Sequence, residues 1–366
     1  MKINHRVVVT LPHPSFRGGV GHIFKVLQLN TIDDIRYLYI TQQGKSANPV
    51  FFIRMICVFI KAIWKANLIH LNPSLDFKSI VRDGILLTIA RMLGKRTLVF
   101  MHGWDDNFQT KIHRNPFFKK LFSLVFNRAD YYILLGEIFT SKMKELGVKD
   151  FRIEYFPTLA DDTHFTSLPA ADFSSLKVIR LFFIAGHHTS KGIDIIINTM
   201  RILNQDSSGR TYILTIAGEG PDRAKWEQYV KDNNISNVNF VGHVAGKVKH
   251  QHFCDSDFLF FPSYYAEGLP CAIMEGMLYG LIIITRPIGG IPYWVRHNEN
   301  GWLSESYDPK DFADGIRELL NNPELLSAIR SANNSVAMKY FTPDKMRENL
   351  LRVYQKLTND TFQSKG

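Results

Sequence analysis

The sequence predicts an α/β protein made of two doubly wound, Rossmann-like domains. Three observations carry that prediction. The chain has 366 residues, more than one hydrophobic core usually supports. Short apolar runs of β type alternate with longer segments of helical periodicity from the first strand onward. The stretch from residue 257 to 292 also reads as strand, Gly/Pro-bounded loop, helix and strand in immediate succession.

In the N-terminal half, strands are expected at residues 6–11, 36–40, 68–71, 97–101, 131–135 and 152–156, with apolar helical patterns between them. Residues 157–176 lose this periodicity and gain Pro, Ser and Asp, as an interdomain linker would. The expected division is therefore a first domain over 1–165, a second over 177–340, and a closing segment over 341–366. No repeat period and no low-complexity tract appears apart from a polar tail beginning at Thr358.

Composition narrows the class. Cys57, Cys254 and Cys271 form no C-x-x-C pair and no even framework, so buried thiols in a reducing compartment are expected, without redox or metal duty. Residues 1–170 carry 23 Lys+Arg against 13 Asp+Glu, whereas residues 171–366 carry 21 against 21, so the whole excess of +10 lies in the first half. A basic domain of this kind attracts phosphates or anionic lipid, and no RNA-binding signature or zinc spacing accompanies it. The apolar run 51–64 is interrupted by Arg54 and Lys61 and is too short for a membrane span. The first fifteen residues do not resemble a secretory signal. Residues 111–128, rich in Lys, Arg and Phe at helical spacing, read either as an interfacial amphipathic helix or as an ordinary sheet-covering helix with a basic outer face.

The chemistry concentrates in the second half. In the 257–292 stretch, residues 257–261 form the expected strand, 262–270 the loop at its carboxyl end, 272–279 the helix and 281–285 the next strand. Open parallel sheets bind ligands at that edge. The pattern sets Glu267 in the loop and Glu275 early in the helix. A helix start offers N–H groups and partial positive charge to a diphosphate, and a carboxylate can accept both hydroxyls of a vicinal diol. Glu275 thus suits a ribose and Glu267 a hexose.

Four stretches extend the pattern: FFIAGHHTSKGIDIIINTM (182–200), LTIAGEGPDRAKWEQYV (214–230), VNFVGHV (238–244) and FFPSYYAEGLPCAIMEGMLYGLIIITRPIGGIPYWVRHNENGWL (260–303). In this order they resemble the retaining nucleotide-sugar glycosyltransferases of family 4. That resemblance implies the GT-B fold, two Rossmann-like domains facing a central cleft, with a UDP- or GDP-linked sugar as donor and no metal or other cofactor. It implies that Lys191 contacts the diphosphate, that Gly268, Leu269 and Pro270 line the donor loop, and that Val244 borders the base beside Gly242 and His243. It further implies that Gly18 and Gly19, after the first strand, approach a phosphate, and that the last helix crosses back to the first domain.

His102 ends the strand LVFMH; there it would donate to a sugar hydroxyl or hold developing charge, or simply be a loop histidine. Trp104, Asp105 and Asp106 follow as acceptor-facing candidates, with too few ligands for a magnesium site.

Two departures stand out. Where relatives pair the lysine with an arginine, this chain has His187 and His188, with Arg286 as another candidate cation; where they commonly have Glu after GGIP, it has Tyr293. The expected reaction is transfer of a sugar to a hydroxyl of a glycan or polyprenyl-diphosphate-linked acceptor, with anomeric configuration kept, in bacterial surface polysaccharide assembly. The setting implied is cytoplasmic, peripheral on an anionic inner membrane face, with no nucleic-acid partner. A sugar-nucleotide epimerase and a non-catalytic basic binding protein are the alternative readings. A dehydrogenase is disfavoured because no G-x-G-x-x-G follows the first strand.

Overall fold

The computed structural model describes residues 6–15, 19–41, 49–168, 170–265 and 268–359. The chain divides into two compact units, Met1–Pro157 with Pro343–Gly366, and Thr158–Thr342.

Unit 1 contains, in chain order, β1 (Val7–Leu11), α1 (Gly19–Leu27), β2 (Ile35–Tyr39), α2 (Pro49–Ile63), β3 (Leu68–Leu71), β4 (Ser74–Leu75), α3 (Phe77–Met92), β5 (Arg96–Phe100), β6 (Gly103–Trp104), α4 (Asp106–Arg114), α5 (Pro116–Phe126), β7 (Tyr131–Leu134), α6 (Glu137–Glu145) and β8 (Ile153–Tyr155). Six strands form one parallel sheet in the order β2-β1-β3-β5-β7-β8. The central strands β1, β3 and β7 are buried at every position, which is why their sequences run apolar instead of alternating. The two-residue pair β4–β6 lies outside the sequence reading because so short a segment shows no period. Helix starts follow capping chemistry: Asp76 accepts from the Ser79 N–H ahead of α3, and Asn115 accepts from two N–H groups of α5, which has Pro116 at its start.

Unit 2 contains β9 (Val178–Ile184), α7 (Ile193–Leu203), β10 (Thr211–Ala217), α8 (Arg223–Asp232), β11 (Val238–Gly242), α9 (Gly246–Cys254), β12 (Phe258–Phe261), α10 (Cys271–Leu278), β13 (Ile282–Thr285), α11 (Ile291–Trp294), β14 (Gly301–Leu303), α12 (Pro309–Leu320) and α13 (Pro323–Tyr340). Its sheet is also parallel, ordered β11-β10-β9-β12-β13-β14. The direction of winding therefore reverses between β9 and β12. In an open α/β sheet, a crevice forms outside the carboxyl ends of the strands at such a point.

The final helix α14 (Pro343–Asn359) packs in unit 1. Its buried face includes Met346, Leu350, Val353 and Tyr354. The Arg347 guanidinium donates to the Leu27 carbonyl at 2.8 and 3.1 Å, and the Tyr354 hydroxyl meets His70 Nδ1 at 2.6 Å. Replacing Tyr354 with Phe should leave a buried imidazole nitrogen without that partner and cost about 1–3 kcal/mol by urea denaturation.

One expected boundary moves. The first domain was read to residue 165, yet unit 1's first segment ends at Pro157. The polar composition that reads as linker contains Leu159 and Ala160, both buried, and the Ala160 N–H donates to the Phe341 carbonyl at 2.8 Å within unit 2. Among the described residues, no helix is long and apolar enough to cross a membrane.

Candidate functional site

The carboxyl-edge loops of unit 2 are tied to one another by their own backbones. After β9 the chain makes a 3-10 turn at Thr189–Lys191 and passes through Gly192 into α7. The Ser190 carbonyl accepts from the Tyr264 N–H at 2.9 Å and from the Ser263 hydroxyl at 3.3 Å, joining the β9 exit to the β12 exit. Gly192 has φ +83°, and a Cβ there would lie 2.5 Å from the Pro262 carbonyl oxygen. Only glycine allows that approach. Lys191 is thereby held beside the β12 exit, its Nζ 4.5 Å from the Tyr265 ring centroid.

The β10 exit closes on the same turn. The His187 N–H donates to the Glu219 carbonyl at 3.0 Å, and the His187 carbonyl accepts from Asp222 at 3.1 Å. The Asp222 carboxylate accepts from both the N–H and the hydroxyl of Thr189 at 2.5 and 2.7 Å. The Gly218 N–H donates to the Gly242 carbonyl at 2.7 Å, bringing the end of β11 and the buried Val244 into the same edge.

The imidazole of His187 is buried, and neither ring nitrogen meets a hydrogen-bond partner among the described residues. Burial pushes its pKa down, only partly opposed by the nearby Ala217 carbonyl, so it is a neutral group at pH 7. His188 is exposed. Arg286 donates to the carbonyls of Glu305 and Ser306 at 2.7 and 3.1 Å, with its guanidinium carbon 3.8 Å from the Tyr307 ring centroid. That anchoring gives Arg286 a structural task in the loop after β13.

Along the β12–α10 connection, the Gly268 carbonyl accepts from Gly290 at 2.6 Å, Leu269 is buried, and Pro270 stands at the N-cap of α10, where it makes no side-chain capping bond. Glu275, on the second turn, is only 5% exposed. Its Oε1 lies 2.7 Å from Lys249 Nζ on α9, and the Asp161 carboxylate is 3.7 Å from the same ammonium. Burial raises the Glu275 pKa while Lys249 lowers it, and the Asp161 N–H also donates to this carboxylate. Lys249 and Asp161 were invisible in the sequence, because no spacing rule links positions 161, 249 and 275.

Lys191, His187, His188, Val244, Gly268, Leu269, Pro270 and Glu275 therefore all sit on the carboxyl-edge loops of unit 2 or the helices they open. Glu267 and Gly18 lie outside the described residues. Gly19 begins α1 in unit 1, exposed, with open space where its Cβ would be, so no steric demand for glycine operates there.

His102 also belongs to unit 1, and its hydrogen bonds fix its tautomer. Asn72 Nδ2 donates to the Thr10 carbonyl at 2.9 Å, which leaves Asn72 Oδ1 as the acceptor facing His102 Nε2 at 2.8 Å. Nε2 must then carry the proton, and Nδ1, buried without a partner among the described residues, presents a lone pair. Burial lowers the pKa to about 3. This corrects the expected role: His102 is neutral and can accept from a hydroxyl through Nδ1, but it neither holds positive charge near pH 7 nor has a second donor.

The same burial has a stability consequence. The folded pKa of His102, like that of buried His70, lies below the unfolded value, so the unfolded state binds more protons as pH falls below about 6.5. The contribution is complete above pH 6.5. The unfolding free energy from urea denaturation should fall between about pH 6.5 and 4, by up to about 1.4 kcal/mol per pH unit per histidine, and His102→Gln should make the decline shallower.

The neighbouring acceptor-facing candidates have structural tasks. Trp104 is buried, donates to Gln109 at 2.6 Å and packs at 5.3 Å from Phe139. Asp105 caps α4, and Asp106 pairs with Lys142.

The loops described above lie within a stretch that matches known proteins. Residues 172–336 match the family described as Glycosyl transferases group 1. The matched stretch lies within unit 2, so it is this unit that resembles the family. An uncharacterized glycosyltransferase of Methanocaldococcus jannaschii is 27% identical over 177 residues, 48% of each chain. The amylovoran biosynthesis glycosyltransferase AmsK of Erwinia amylovora is 26% identical over 226 residues, 60% of this chain and 54% of AmsK. The chain thus spans about half the length of these relatives. Among solved structures, Anabaena HepE in complex with UDP-glucose aligns with a TM-score of 0.74 at 14% identity, over 96% of this chain and all of HepE. Sucrose-phosphate synthase from Thermosynechococcus elongatus aligns with a TM-score of 0.74 at 15% identity, over 98% of this chain and all of that enzyme. The fold is GT-B, with two Rossmann-like units in one chain.

Proposed function

We propose that this protein is a retaining glycosyltransferase that moves a sugar from a nucleoside-diphosphate donor to a hydroxyl of a glycan or lipid-linked acceptor in bacterial surface polysaccharide assembly. The observation that carries this reading is the convergence of Lys191 and the α10 start on the edge where β9 and β12 diverge, inside the matched family domain. AmsK, named for amylovoran biosynthesis, supports the polysaccharide setting, and the HepE complex with UDP-glucose supports a uridine diphosphate donor.

In this mechanism the bond between the anomeric carbon and the diphosphate oxygen breaks as the acceptor oxygen bonds the same face of that carbon. The acceptor proton passes to an oxygen of the departing diphosphate. Lys191 and the N–H groups at the start of α10 stabilise the charge that grows there. Glu275 accepts ribose hydroxyls and Glu267 those of the transferred sugar. His187, neutral, supplies at most a hydrogen bond where a second cation would give charge, so the clamp leans on Lys191. No metal is needed in this scheme.

The test is a panel of UDP- and GDP-sugars scored by thermal stabilisation, followed by transfer to polyprenyl-diphosphate oligosaccharides and assignment of the product anomer by NMR. Failure of every sugar nucleotide to stabilise the protein would remove the reading, and an inverted anomer would remove retention. A sugar or epimer released without acceptor would favour an epimerase.

Attachment to an anionic membrane surface belongs to the same reading. On α5, Phe122 and Phe126 are buried, while Phe117, Phe118, Leu121 and Leu124 are exposed beside Lys120, with Lys111 and Arg114 on α4. An exposed aromatic and basic face of this kind suits an anionic interface. Flotation with vesicles containing phosphatidylglycerol should recover the protein, phosphatidylcholine vesicles should not, and a Phe117→Ser/Phe118→Ser/Leu121→Ser variant should lose recovery without a lower Tm.

A further inference from the structure

Glu275 is buried beside one cation, and burying a carboxylate without a partner is expensive. Lys249 approaches Oε1 at 2.7 Å, with its own side chain only 16% exposed. The second carboxylate near that ammonium, Asp161, stands farther away at 3.7 Å, so Glu275 is the closer partner. Lys249 lies on α9, which begins two residues after Val244, the residue proposed to border the base.

A carboxylate accepts a vicinal diol well only when it is ionised and its plane is fixed. An ammonium bound to one oxygen supplies both conditions and, together with the Asp161 N–H that also donates to this carboxylate, fixes its plane. We infer that Lys249 is a positioning residue for the nucleotide ribose: by holding Oε1 of Glu275, it presents Oε2 to the ribose hydroxyls. This rests on the reading of Glu275 as the ribose acceptor. The short segment from Val244 to Lys249 then serves base and ribose together. No spacing motif marks Lys249, since it acts through another residue on a different helix.

The experiment is calorimetric titration of UDP, GDP and their 2′-deoxy counterparts into wild type, Glu275→Gln, Lys249→Met and Lys249→Arg, with Tm recorded for each. The deoxy analogues remove one of the hydroxyls assigned to Glu275. Wild type should prefer the ribonucleotide by about tenfold or more, the scale of one charge-assisted hydrogen bond. Glu275→Gln and Lys249→Met should bring the two affinities within about twofold, and Lys249→Arg should restore most of the preference. A purely structural ion pair would lower the Tm of Lys249→Met yet leave the ribose-to-deoxyribose ratio unchanged, and that result overturns the proposal. If Lys249→Met does not fold, Lys249→Gln carries the same comparison, because it keeps a donor and removes the charge. Retained preference in Glu275→Gln would overturn the ribose assignment itself. Wild type that binds neither nucleotide would overturn the reading of function and the role of Lys249 with it.

Discussion

Replacing Lys191 with alanine is expected to lower turnover by about 10²–10³-fold while shifting Tm by no more than about 2 °C. The asymmetry follows from where the side chain sits. Its backbone is fixed by the Lys191 N–H to the His188 carbonyl at 2.9 Å and by the seam from Ser190 to Tyr264, neither of which involves the ammonium. The ammonium projects beside Tyr265, a contact worth little to folding on a half-exposed surface. In the proposed reaction it meets charge that grows only as the diphosphate departs, so its removal should reduce kcat more than it raises the donor KM. The neutral state of His187 sharpens the effect, because its imidazole brings no charge of its own. Steady-state kinetics with the stabilising donor, alongside differential scanning fluorimetry, checks both halves. Turnover equal to wild type would remove Lys191 from the site.

Replacing Gly192 with alanine is expected to do the opposite, damaging folding and activity together. The residue is left-handed, which by itself costs an L side chain about 1–2 kcal/mol. The added Cβ would also meet the Pro262 carbonyl oxygen at 2.5 Å, and its carbon and Cγ at 2.9 Å. Two of those three atoms are backbone, so rotating a side chain cannot relieve the clash. The β9 and β12 exits must separate, which breaks the Ser190–Tyr264 hydrogen bond and carries Lys191 away from the α10 start. A loss of about 3 kcal/mol or more in urea denaturation is expected, with activity falling at least as far as in the lysine variant. Gly209→Ala is the control: it has φ +75° with nothing within 4 Å, so only the conformational cost of about 1–2 kcal/mol should appear. If the two alanines destabilise equally, the close approach under Pro262 does not govern this turn.

Much of the architecture was legible because parallel strands covered on both faces must be continuously apolar, and β1, β3, β12 and β13 advertise that requirement in their residues. The boundary near 157 was less legible. Polar, Pro-containing text looks like linker whether or not its few apolar residues find a core, and Leu159 and Ala160 find one in unit 2. Single-residue roles in the first half were the hardest to read. Trp104, Asp105 and Asp106 look like sugar-contacting groups in a row, yet a buried indole, a helix cap and an ion pair absorb all three. Their partners Gln109 and Lys142 lie 5 and 36 positions away, and no local pattern ranks such pairings above solvent.

By itself the sequence determined the two doubly wound sheets, the helix that bears Glu275, and the lysine turn, since each is written in local periodicity, glycine and proline placement, and helix-start chemistry. Only the tertiary structure decided protonation and partnership: that His102 offers a lone pair, that His187 is neutral, that Arg286 is spent on carbonyls, and that Glu275 is held by Lys249. Those properties depend on burial and on atoms brought within 3 Å from distant positions, and a linear pattern carries neither the local dielectric nor the third dimension that sets such distances.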